Sequence, residues 1–102
     1  MGKISNPNHG LASHLQSEWE AAGEDKGARQ TVISLTESFG EIAWMSCPTA
    51  EDLDGIIKNF ETTDLKKAFL FGVSKSIDIP RHPPTAYGNA LRPYVHKMLR
   101  EL

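Results

Sequence analysis

The stretch "QTVISLTESFGEIAWMSC", residues 30–47, decides how the fold is read. Its first part, QTVISLT (30–36), is rich in β-branched residues, and its last, EIAWMSC (41–47), is apolar. Between them, ESFG supplies a glycine suited to the positive φ that tight hairpin turns require. The pattern predicts a β-hairpin. Two strands alone are marginal in water, so the pair needs a third strand, a covering helix or the same edge of a second copy. Trp44 then falls mid-strand, and Phe39 sits at the tip, where exposure would mark a contact surface. Trp44 and Trp19, if buried, need partners for their indole N–H groups.

On the N-terminal side, GEDKGA (23–28) carries two glycines and reads as an exposed loop. Before it, LASHLQSEWEAA places Leu11, Leu15, Trp19 and Ala22 on one helical stripe, opposed by Gln16, Glu18 and Glu20. Residues 1–10, with Gly2, Pro7 and Gly10, are expected to be flexible or loosely docked.

On the C-terminal side, Thr49 followed by Asp52 resembles a capping box, and Glu51 and Asp52 suit the positive end of a helix dipole. Leu53, Ile56, Ile57 and Phe60 form the apolar face of that helix. A second helix, capped by Thr62, Thr63 or Asp64, repeats Leu65, Ala68, Phe69, Gly72, Val73 and Ser76 at intervals of three and four. Gly72 within that stripe costs about 1 kcal/mol against alanine, which close backbone packing would justify. Pro80, Pro83 and Pro84 disfavour helix and make residues 79–88 a stiff extended connection. Pro93 belongs in a first turn, which puts the last helix's start near Asn89 to Arg92, with Leu91, Val95, Met98, Leu99 and Leu102 turned inward. The expected architecture is α+β: a helix, a β-hairpin, then three helices packed on the small antiparallel sheet. Residues 11–102 would form one domain behind the flexible segment 1–10.

The bulk properties agree with one small domain. A chain of 102 residues is one domain's worth. Its formal charge of -2 provides no long-range field to gather nucleic acid or an anionic membrane. Cys47 is the sole cysteine, so no internal disulfide forms. The start, MGKISNPNHG, lacks the apolar core of a secretory signal. No stretch reaches the roughly 18 apolar residues of a membrane span. A soluble, cytoplasmic protein is the expectation.

Chemistry-bearing residues are sparse. Arg92, His96 and Arg100 recur four apart, with Lys97 beside them, and could grip phosphate or an acidic partner. Cations near a helix C-terminus also simply favour the dipole. Arg81 and His82 stand in the proline-stiffened loop, where little entropy is lost on holding them in place. Alternatively, Arg81 caps the carbonyls of the preceding helix. His9, His14, His82, His96 and Cys47 contain no C-x-x-C or H-x-x-x-H spacing, so no metal site is expected. Cys47, just before a helix, could gain thiolate character from the helix N-terminus, although a small buried hydrophobe is the commoner role. Glu51, Asp52 and Asp54 are helix-start charges rather than an acid/base pair. No phosphate loop or dinucleotide fingerprint occurs, and neither catalytic residues nor a cofactor are expected.

From about residue 31 onward the chain resembles a family of short bacterial proteins catalogued only as a domain of unknown function. That family's pattern is a strand, a helix with a D-D-I-like start, a helix ending in G-x-K, an H-P loop and an L-R-P helix closing on Met and Leu. The matching pieces are EDLDGII (51–57), FGVSK (71–75), RHP (81–83) and ALRPYVHKML (90–99). The sequence departs from the pattern in residues 1–29 and in a shorter join between the second and third helices. The resemblance implies a bacterial origin but no activity, and it carries over no catalytic residues. The expected function is a non-enzymatic protein-binding or self-associating module, with a homodimer or another protein as partner and neither membrane nor nucleic acid. The alternative is a regulator that binds a small anionic or phosphorylated ligand through Arg81, His82, Arg92 and His96 at the proline loop and last helix.

Overall fold

The computed structural model of the chain describes residues 7–78 and 86–102. They form α1 (Pro7–Ala22), α2 (Lys26–Ala43), a 3-10 turn (Trp44–Ser46), α3 (Ala50–Ile57), α4 (Thr63–Asp78) and α5 (Ala86–Glu101). No strand occurs among the described residues. The expected hairpin, and the α+β class built on it, are therefore corrected to an all-helical fold. The reason lies in the period of residues 26–43. Val32, Thr36, Gly40 and Ala43 are the buried residues of α2, spaced four, four and three apart, which is helical and not alternating. Asp25 starts the helix by accepting a hydrogen bond from the Ala28 N–H. Thr36, the one polar residue in that buried set, satisfies its hydroxyl internally by donating to the Val32 carbonyl.

Gly40, expected as a turn residue, has no positive φ; among the described residues only Gly23 does, at 56°, just after α1. Gly40 instead lets two helices touch. A Cβ on Gly40 would overlap the Phe69 carbonyl oxygen and lie 3.2 Å from the Val73 nitrogen. On the other helix, a Cβ on Gly72 would overlap the Glu37 carbonyl oxygen and lie 3.2 Å from the Glu37 Cα. The two glycines thus sit on opposite sides of one crossing, where α2 and α4 meet backbone to backbone. This accounts for the mid-helix glycine in the α4 stripe. Phe39 is half-buried beside the crossing, its ring 5.3 Å from that of Phe69, and is no exposed hairpin tip.

The other helices wrap this pair. α1 packs on α2 and α3, while α5 packs on α4, the 3-10 turn and α3. Trp44, Leu53, Ile56, Phe60, Leu65, Phe69, Leu70, Leu91 and Val95 are among the side chains that fill the interior. The apolar faces expected for α3 and α4 are buried as read, with Leu70 and Ile77 joining the second. The capping box at Thr49 and Asp52 is present in both directions.

Both ends of the chain differ from expectation. α1 begins at Pro7, inside the segment expected to be flexible, and residues 1–6 lie outside the described residues. Its buried stripe is rotated as well: Ala12, Leu15 and Gln16 face inward, while Leu11 is exposed. Of the connection expected over 79–88, residues 79–85 lie outside the described residues and 86–88 belong to α5. Pro93 consequently stands well inside α5 rather than in its first turn. A proline deprives the carbonyl four residues back of its donor. Here that residue is Asn89, which is exposed as Pro93 is, so water can satisfy the orphaned group.

Candidate functional site

Arg92 and His96, on the first half and middle of α5, both face the end of α4. The Arg92 Nε donates to Asp78 Oδ1 at 3.1 Å, and its terminal nitrogens donate to the Ile77 carbonyl (3.2 Å) and the Asn89 side-chain oxygen (3.3 Å). His96 Nε2 lies 3.9 Å from the other Asp78 oxygen. The guanidinium therefore caps the C-terminal end of α4, the role the sequence suggested for Arg81. Its charge already has a carboxylate partner, which leaves less of it for a ligand. Arg100 is exposed on the far end of α5. The structure thus joins Arg92 and His96 through Asp78, a residue the sequence did not single out. Arg81 and His82 lie outside the described residues.

Cys47 and Tyr94 are held in structural bonds. Cys47 is fully buried, and its thiol donates to the Ala43 carbonyl at 3.5 Å. Burial, reinforced by the nearby Asp52 carboxylate, pushes this thiol up to about 11, against a weaker opposing effect of the Ser46 hydroxyl. That is the reverse of an activated nucleophile. Tyr94 donates to Asp54 Oδ1 at 2.8 Å, and Lys58 pairs with Asp54 Oδ2 at 3.3 Å. Burial first, then the Asp54 carboxylate, hold the Tyr94 phenol well above its ordinary value. No group of three or more His, Cys, Asp or Glu residues that could hold a metal occurs among the described residues. The Trp44 indole N–H is buried without a hydrogen-bond partner among them, contrary to the usual requirement.

What the sequence did not show is a surface. Leu35 and Ile42 are 53% and 67% exposed on the outer face of α2. Beyond Lys26, the exposed positions of this helix are Gly27, Gln30, Thr31, Ser34, Leu35, Ser38 and Ile42, none of them charged. Nearly a quarter of the whole chain is charged, so a helix face without charge over four turns stands out. The hairpin reading hid it, because a strand scatters these residues over two faces while a helix gathers them on one. A second apolar patch, around the half-exposed Phe71 of α4, lines an open groove of about 420 Å³ with Ile33, Ala68 and Leu99. Its rim is charged, with Glu37, Asp64 and Lys67.

Comparison with known proteins finds no matching family model, no matching curated protein and no matching solved structure. The resemblance to the bacterial family stands on its quoted segments alone, and its strand has no counterpart among the described residues.

Proposed function

We propose that this chain is a non-enzymatic helical module that binds protein through the outer face of α2, its partner presenting an uncharged, apolar helix. The observation that carries this reading is the exposure of Leu35 and Ile42 on a charge-free helical face. Single exposed apolar side chains are common, but two aligned on one uncharged helical face make a candidate contact surface. A partner of either charge would find no ion pair there, whereas an apolar helix would bury both side chains. With no sheet edge among the described residues, the α2 face is the surface that supports self-pairing.

The alternative, a regulator binding a small anionic ligand at the proline loop and α5, has less behind it. Arg92 is spent on Asp78 and the end of α4. A bacterial origin and a cytoplasmic location belong to the same proposal; no helix among the described residues is long and apolar enough to cross a membrane.

The test is affinity capture from source cells with the wild-type chain and with Ile42→Lys as parallel baits. The substitution is at an exposed position and should leave the helical circular dichroism unchanged. A protein retained by the first bait and lost from the second supports the reading. Equal retention by both overturns the α2 face as the contact.

A further inference from the structure

Resting on the reading of α2 as a contact face, we propose that the partner is a second copy of this chain, its α2 packed antiparallel on the first. Three properties of the face lead there. The first is spacing. Thr31, Leu35, Ser38 and Ile42 are all exposed and recur at four, three and four residues, the seam that two helices need to stay in contact along their length.

The second is size. The row alternates short side chains, Thr31 and Ser38, with the longer Leu35 and Ile42. In an antiparallel pair with its two-fold axis between Thr36 and Glu37, Leu35 of one copy meets Ser38 of the other, and Ile42 meets Thr31. Each large group then faces a small one, all within α2. A parallel arrangement would oppose Leu35 to Leu35 and Ser38 to Ser38, leaving alternate layers crowded and empty.

The third is charge. Charged side chains of both signs stand on much of the rest of the described surface, and bringing like-charged faces together costs free energy. The exposed positions of the α2 strip carry no charge after Lys26, and the carboxylate that shares the groove beside Thr31 and Leu35, Glu18 of α1, stands 3.5 Å from His14. Glu41, half-buried at the edge of the strip, falls beside the second copy's Ser34 hydroxyl in this register and not beside another carboxylate. The strip is thus complementary to itself. The Phe71 groove does not share this property, since Glu37, Asp64 and Lys67 make its rim charged.

The pairing spans about four helical turns, short for an interface, so the dimer should be a weak one that assembles at micromolar concentrations or above. Sedimentation equilibrium up to about 500 µM reads the outcome directly. Wild type should pass from monomer to dimer over that range, and Ile42→Lys should remain monomeric with unchanged helicity. Thr31→Glu alone should weaken the dimer, and the double variant Thr31→Glu/Ile42→Lys should restore it. The two substituted positions are eleven residues apart in one chain but face one another across the two-fold axis. A wild type that stays monomeric throughout overturns the inference, as does a dimer indifferent to Ile42→Lys. Failure of the double variant to recover overturns the antiparallel register. A monomeric wild type whose captured partner is still lost on Ile42→Lys would sink self-pairing alone and leave the protein-binding reading standing.

Discussion

Gln16 shows what one side chain does in this fold. It is 95% removed from solvent on α1, yet each of its polar atoms is used. Its oxygen accepts the backbone N–H groups of Glu61 (2.8 Å) and Thr62 (3.1 Å), and its nitrogen donates to the Thr62 hydroxyl (3.0 Å) and to Glu20 (3.1 Å). The amide therefore ties α1 to the entry of α4, where backbone donors have no helical partner of their own. Replacing it by leucine keeps the volume and strands two N–H groups. Gln16→Leu should lower stability by about 1–3 kcal/mol, measured by urea denaturation, with the transition slope unchanged. A neutral result would mean that water reaches those N–H groups. Sequence reading placed Gln16 on the solvent side because polarity is the only signal a single glutamine offers. Nothing in the residues nearby announces that a loop forty-five positions away needs an acceptor. Arg92 was singled out as a ligand or partner candidate on the last helix, and the cap at the end of α4 was expected of Arg81. The bonds of Arg92 to Asp78 and the Ile77 carbonyl were not legible.

Among the elements, α2 and α4 depend on each other more than on their own sequences. β-branched residues at Thr31, Val32, Ile33 and Thr36 lower the helix propensity of α2, and two helix-interior glycines, Gly40 and Gly72, lower that of the pair. The β-branched run and Gly40 are the features that suggested a hairpin; Gly72 stood within a helical stripe. Tertiary packing overrides them, because each glycine lets a carbonyl of the other helix approach where a Cβ would otherwise stand. Propensity is local and the crossing is not, so this part of the fold was the least legible, whereas α3 and α4, with clear caps and unbroken apolar stripes, were read correctly. The same reasoning gives a prediction of definite sign. Gly72→Ala would gain about 1 kcal/mol if helix propensity decided the outcome. The overlap is with backbone, which cannot rotate away, so the substitution should instead destabilise by about 1–3 kcal/mol or more. A thermal melt distinguishes the two, and a raised midpoint would show that α2 and α4 can separate at little cost.

On the scale of the whole molecule, α1 and α5 are held partly by polar bonds: Asn8 to Ser46, Ser13 to Asn59, Gln16 to residues 61 and 62, Tyr94 to Asp54, and Arg92 to Asp78. Several of the groups in or near this frame change state in alkali, and the structure fixes the direction. Cys47 rises from 9.0 to about 11 through burial, and Tyr94 lies above 10.0 through burial and its bond to Asp54. Lys75 is also raised above 10.5, by its bond to Glu37. A group whose folded value exceeds its unfolded one keeps its proton longer in the native state. Its contribution is complete below the unfolded value and disappears as pH climbs through the folded one. Stability should therefore be level up to about pH 9 and fall beyond it, the Cys47 step removing on the order of 2 kcal/mol by pH 11. Tyr94 deepens the loss above pH 10, because a phenolate facing Asp54 both repels it and surrenders the link between α5 and α3. Denaturant melts from pH 7 to 11 on wild type, Cys47→Ala and Tyr94→Phe read this out. The alanine variant should be less stable at neutral pH for want of the buried sulfur, yet its decline should begin about one pH unit later. The phenylalanine variant should keep the early decline and lose the steep part above pH 10. Onset at the same pH in all three would mean that the two buried protons are not what alkali removes.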